Sequence, residues 1–198
     1  MSTASDQTIQ ALEQVVKTLP VGTNFALLQL MWAMLNGSFL KSRGAVHSAL
    51  AESGFNEGEI RRSWRALRYG VWSVDELLIR WRDLVLGDGK WQVRSYEGYR
   101  PVAVDITTVW RPRLQGWTGK FFHHVAERLM KGVGLGIVCE VGEVDGQRLP
   151  LLKRIIRVKR KEWGEAELKA EILRQAGSYL ADKEVFVHDA GVTVSEVQ

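Results

Sequence analysis

Residues 94–117, RSYEGYRPVAVDITTVWRPRLQGW, decide the fold. Within them Val102, Val104 and Ile106 alternate with Ala103, Asp105 and Thr107. That period of two sends successive side chains to opposite faces of a strand. Upstream of residue 92 the apolar spacing is helical, so the chain changes class of structure here. Asp105 interrupts an otherwise apolar strand, and a carboxylate buried in a sheet is costly without a partner. A partner from elsewhere in the chain is expected.

Downstream, residues 135–141 (LGIVCEV) form a continuous apolar run that suits a buried strand. A turn is expected over 142–147 and a paired strand over 148–158. A helix over 164–180 places Leu168, Ile172, Ala176 and Tyr179 on one face. A last strand, 184–189, is closed by Ala190-Gly191. The segment 110–132 has no clear period. A right-handed crossover through the helix sets the first and last strands parallel and adjacent. Adjacent strands lie ~4.8 Å apart, so Asp105 and Asp189 meet at one sheet edge. A divalent cation would relieve their repulsion, and oxygen-only donors favour Mg²⁺ or Mn²⁺. Two such ions can activate a water or 3′-hydroxyl and stabilise the leaving oxygen in phosphodiester transfer. An acid ending a strand is also an ordinary turn residue, so spacing alone leaves both readings open.

Upstream, the first sixteen residues are polar and are expected to fray as a disordered tail. Residues 25–35 are apolar nearly all round, as in a buried helix. A short helix follows over 43–53, then a turn. Asn56 and Glu59 have capping-box spacing and open a further helix. On it Ile60, Trp64 and Leu67 share a face, and Arg61, Arg65 and Arg68 repeat that spacing about 100° around the axis. Ser73 and Glu76 open another helix, with Leu77, Leu78, Trp81 and Leu84 inward, ended by Gly87-Asp88-Gly89. The expected organisation is a tail (1–16), a helical domain (17–92) and an α/β domain (93–198).

The composition is globular, 45% hydrophobic and 25% charged over 198 residues. The single cysteine, Cys139, excludes an intramolecular disulfide and a cysteine-based zinc site, and reads as a core thiol in a cytoplasmic protein. No leader pattern opens the chain, and residues 25–35 fall short of the ~20 needed for a membrane span, so no membrane association is expected. Charge is uneven. Residues 94–161 hold fourteen Lys/Arg against six Asp/Glu, whereas 162–198 hold three against eight. Such asymmetry can build a face that attracts a phosphate backbone.

Several residues admit two readings. Arg61, Arg62, Arg65 and Arg68 contact DNA from a recognition-like helix, or form a solvated face with pairs such as Glu57–Arg61. Lys153, Arg154, Arg157, Lys159, Arg160 and Lys161 track phosphates, or keep an edge strand soluble. Arg111 and Arg113 lie between Trp110 and Trp117, whose rings stack on splayed bases or pack in a core. His188 precedes Asp189 but should point to the opposite face. His123 and His124 lack a carboxylate at helical spacing other than Glu127. Gly132, Gly134 and Gly136 precede a strand rather than joining strand to helix, so they fail as a nucleotide-binding loop.

Residues 94–117 resemble the first catalytic strand of bacterial insertion-sequence transposases of the DDE class. GLGIVCEVGEVDGQRLPLL (134–152) resembles the hairpin that follows, and EVFVHDAGV (184–192) the strand bearing the second catalytic aspartate. SRGAVHSALAESGFNEGEIRRSWRALRYGVWSVDELL (42–78) resembles the helical segment ahead of that core. The resemblance implies an α/β protein: a helical N-terminal domain, then an incomplete RNase H-like mixed sheet with a crossover helix. It assigns Asp105 and Asp189 as catalytic, metal-binding residues using Mg²⁺ or Mn²⁺. It implies double-stranded DNA (transposon ends and target) as partner, hydrolysis and strand transfer as chemistry, and homodimers as the acting form. The family uses a third acid, a glutamate on a helix well beyond the second aspartate; Glu196 is too close to fill that role. The chain is thus expected to be an N-terminal portion or a remnant. Three rivals remain: a catalytically inactive DNA-binding protein derived from a transposase, an unrelated RNase H-like nuclease, and a helical interaction protein.

Overall fold

In the computed structural model, which describes residues 3–42, 44–176, 178 and 180–188, the chain divides into two compact units, 1–87 and 88–198. The first unit is helical: α1 (Ala4–Val16), α2 (Thr23–Leu35), α3 (Ser38–Lys41), α4 (Val46–Glu52), α5 (Glu57–Tyr69) and α6 (Val74–Gly87). The expected disordered tail is corrected by α1. Thr3 caps it, accepting from the Asp6 N–H at 3.2 Å while the Asp6 carboxylate accepts the Thr3 N–H at 3.0 Å. Its inner face carries Val15 and Val16 into the core, joined by Leu19 just beyond the helix, and that burial ties down a segment whose polar composition suggested fraying.

Helix α2 runs through the centre of the helical unit. Ala26, Leu27, Leu30 and Ala33 are buried, but Phe25, Met34 and Leu35 are exposed, so the helix is enclosed on one side only. Gln29, the polar break in its apolar run, has a structural reason. Its Oε1 accepts the hydroxyl hydrogen of Ser63 on α5 at 2.9 Å, and Ser63 is fully buried. This contact also corrects the expected face of α5. The buried stripe is Ile60, Ser63 and Ala66, while Trp64 is 48% and Leu67 38% exposed. Small residues let α5 approach α2 closely, which a tryptophan at that interface would prevent.

The second unit is a mixed α/β structure. Its strands are β1 (Gln92–Val93), β2 (Arg100–Trp110), β3 (Lys120–His123), β4 (Arg128–Glu140), β5 (Gly142–Val144), β6 (Gln147–Arg148), β7 (Leu151–Arg157) and β8 (Glu184–His188), with α7 (Glu165–Ala176) between the last two. A small sheet has the order β1-β5-β6, and the main sheet the order β3-β4-β2-β8, with β7 also paired to β4. Every pairing in the main sheet is antiparallel except β2 with β8, which is parallel. The strands expected at 102–107 and 135–141 and the expected helix are present with shifted ends; that expected at 148–158 is divided between β6 and β7, the expected turn over 142–147 holds β5, and of 184–189 residues 184–188 form β8. The segment without a clear period resolves into a loop, β3, a single 3-10 turn (His124–Ala126) and the start of β4.

Strand alternation sorts β2 into two faces. Val102, Val104 and Ile106 face the core with Phe121, Val138 and Ile156, closed over by Leu168 and Ile172 of α7. Ala103, Asp105, Thr107 and Val109 point the other way, and the last three of them are exposed. The three glycines of β4 lie on the covered face. A Cβ at Gly136 would stand 2.5 Å from Ile172 Cδ1, and one at Gly134 would run into the Phe121 ring. They are packing glycines that let α7 and β3 lie close to the sheet.

One buried charge fixes α7. The Glu171 side chain is 6% exposed and accepts from Arg174 at 2.7 and 2.9 Å, from Lys159 just after β7, and from Gln175. Arg174, then Lys159 and Gln175, hold its carboxyl well below the ordinary carboxylate range. A depressed folded pKa contributes stability that is present above the unfolded value and lost as pH falls toward the folded one. Glu171→Gln is therefore expected to cost about 2 kcal/mol at neutral pH, the scale of a charged hydrogen-bond set whose partners regain water. The same variant should flatten the loss of stability in acid. Urea unfolding of both proteins at neutral pH and below pH 4.5 checks it; parallel pH dependences would refute the assignment.

No helix among the described residues is long and apolar enough to cross a membrane.

Candidate functional site

Asp105 sits mid-way along β2 on the face that α7 does not cover. It is exposed, not buried, which corrects the expectation of a costly interior carboxylate. Its Oδ1 accepts the Ile106 N–H at 2.8 Å. The parallel register with β8 runs from Arg100 opposite Glu184 to Val104 opposite His188. Asp105 follows Val104 in sequence and Asp189 follows His188; Asp189 itself lies outside the described residues.

A cavity of about 330 Å³ opens between β2 and α7. Val104, Ile106, Thr108 and His188 line it from the core face of the strands, Trp110 and Phe121 supply apolar wall, and Glu165, Lys169 and Ile172 close it from α7; Asp105 and Thr107 also border it, although their side chains point to the other face of β2. Glu165 is already engaged, by Lys169 at 3.2 Å and by the Phe122 N–H at 3.3 Å. No group of three His, Cys, Asp or Glu side chains able to hold a metal occurs among the described residues. Asp105 offers an accessible hard oxygen donor but does not by itself make a cation site.

The expected phosphate contacts separate into two kinds. Lys153 belongs to the interior: its ammonium meets Glu184 at 2.7 Å and Glu140 at 3.5 Å. Burial pushes the Glu184 carboxyl up, but the Lys153 bond and the Ala181 N–H outweigh it, and the carboxyl titrates below its ordinary range. Lys159 is held by Glu171. Arg154 is half-buried, while Arg157, Arg160 and Lys161 are exposed. Arg111 and Arg113 are exposed on the loop after β2, whereas Trp110 and Trp117 pack against the sheet–helix core. Those tryptophans are walls of the fold, and the Trp110 ring lies 4.6 Å from the His123 ring. Cys139 is half-buried beside Ala103 on the face that α7 does not cover, which corrects the expected core thiol, and burial pushes its thiol up.

In the helical unit, α4 and α5 are joined by a four-residue turn (53–56). Asn56 accepts from the Glu59 N–H at 3.0 Å, and Glu59 returns a bond to the Asn56 N–H at 2.8 Å. Arg61, Arg62, Arg65 and Arg68 all face solvent. Arg61 is paired with Glu57 and Arg68 lies over the Tyr69 ring. Trp64 emerges among them and floors a cleft of about 420 Å³ with Val46 and Ile60, rimmed by His47, Arg61 and Arg65. Its exposure was hidden in the sequence because i, i+4, i+7 and i, i+3, i+6 from Ile60 describe overlapping faces. The small side chains of Ser63 and Ala66 were the available signal.

No protein-family model matches the chain, and neither a curated protein nor a solved structure does.

Proposed function

We propose that the protein is a transposase-type DNA-processing chain, its α/β unit an RNase H-like core acting on phosphodiester bonds and its α4–α5 pair a duplex-binding element. The carrying observation is the parallel β2–β8 pair, described up to Val104 opposite His188, with an aspartate next in sequence after each. The order β7-β4-β2-β8, with one parallel pairing among the described residues, reached through α7, supports the same reading. So does the accessible carboxylate of Asp105 on an uncovered sheet face.

Asp105 and Asp189 would hold Mg²⁺ or Mn²⁺, which when bound would supply an activated water or 3′-hydroxyl and charge stabilisation at the leaving oxygen. Asp105 contributes an oxygen oriented by the Ile106 N–H.

A second reading, DNA binding without catalysis, is favoured by α5 alone. Arg62 and Arg65 are exposed beside Trp64, with no carboxylate partner among the described residues. Incubation with supercoiled plasmid separates the two. Nicking that appears with Mg²⁺ and disappears in EDTA is the expected result. Salt-sensitive binding with no cleavage in either metal would leave only the second reading, and absence of binding at low salt would remove both.

A further inference from the structure

The geometry points to a second duplex-binding surface, on the α/β unit and independent of α5, built from Arg111, Lys120, Lys131, Arg157, Arg160 and Lys161. These residues come from four separate stretches of chain, and the strand pairings bring them together. Lys120 and Lys131 are register partners across β3 and β4. The Arg111 N–H donates to the Lys131 carbonyl at 3.1 Å. The N–H groups of Thr118 and Gly119 both donate to the Lys161 carbonyl at 3.0 Å, which places Lys161 beside the start of β3. Arg157 is opposite Leu135, four residues further along β4 from Lys131.

Five of the six side chains are exposed and Lys131 is half-buried. None has a carboxylate partner among the described residues, in contrast to Lys153 and Lys159 in the same basic run, which are committed to Glu184 and Glu171. Six cations brought together without compensating acids repel one another, an arrangement that a polyanion relieves. The spacing selects the ligand. Lys131 and Leu135 are separated by roughly 13 Å along the strand, and a duplex presents a charge every ~1.7 Å of its axis. The surface therefore spans several phosphates rather than one. Lys120, Lys131, Arg160 and Lys161 contact backbone and carry no base readout.

The surface shares its ligand class with the proposed function but requires neither metal nor catalysis. Its test uses the full chain carrying Asp105→Asn, in EDTA, with a short mixed-sequence duplex whose binding is followed by anisotropy between ~50 and ~200 mM salt. Each lost phosphate contact lowers the slope of log K against log salt by about 0.9. Adding K120Q, K131Q, R160Q and K161Q is expected to lower it by as much as about 3.6. A matching K120R, K131R, R160K and K161R set should keep the parent slope, and thermal melts confirm that each protein is folded. If the fourfold neutral variant does not fold, the single K161Q chain carries the same measurement. A slope unchanged in the neutral variants overturns the surface. Binding to phosphatidylserine vesicles without duplex binding overturns it in favour of a lipid partner. Absence of nicking by the unsubstituted chain in Mg²⁺, with the slope change intact, would sink the catalytic reading and leave this one standing.

Discussion

Asp105→Asn is expected to reduce Mg²⁺-dependent nicking by roughly 10²–10³-fold, the scale on which removing one preorganised electrostatic contact slows an enzyme. The substitution keeps the shape of the side chain and an oxygen that can still accept the Ile106 N–H. It removes the negative charge that a hard divalent ion requires. Because Asp105 is exposed, its loss should leave stability within about 0.5 kcal/mol of the parent. The prediction therefore separates chemistry from folding: activity falls while melting temperature and duplex affinity stay level. Asp189→Asn should behave in the same way, and the double variant should be no worse than either single one if both hold the same ions. Undiminished cleavage in Asp105→Asn would assign the reaction to other residues.

Much of the α/β unit was legible because its signals are local. Alternation from 102 to 106, the apolar run at 135–141 and the helical spacing of Leu168 and Ile172 each report one element through its own period. The parallel placement of β8 beside β2 follows from the handedness of the crossover. What was missed needed tertiary knowledge or a stricter use of parity. Asp105 has the same parity as Ala103 and Thr107, so its exposure was implied as soon as one face of β2 was assigned to the core. Treating the whole strand as buried concealed this. The α1 helix carried its own signals in Thr3, Asp6 and the spacing of Leu12, Val16 and Leu19, masked by polar composition. The division of the basic run was not available at all. Lys153 and Lys159 are distinguished from Arg160 and Lys161 only by carboxylates on β4, β8 and α7 that folding delivers.

Gly136→Val is expected to destabilise the α/β unit by about 3 kcal/mol, the upper part of the range for overpacking a tight interior. The strand itself would favour valine, since β-branched residues suit a pleated backbone and glycine weakens it. Packing opposes that preference. A new Cβ would lie 2.5 Å from Ile172 Cδ1 and 2.7 Å from Cγ1, and Ile172 is only 3% exposed, so its side chain must leave a packed position. Relief comes from displacing the Ile172 side chain toward the adjoining cavity or from lifting α7 off β4, and the latter would also strain the Glu171 contacts with Lys159. At ~4–8 °C per kcal/mol for a domain of this size, melting should fall by roughly 12–24 °C. Ile172→Ala supplies the decisive comparison. Alone it opens a cavity and costs about 2–5 kcal/mol, but combined with Gly136→Val it provides the space that valine needs. The double variant should then be more stable than the sum of the single losses allows, with a coupling of at least about 1 kcal/mol. Simple additivity would mean that the glycines of β4 serve the backbone rather than the docking of α7, and that the close helix–sheet contact is not what their spacing protects.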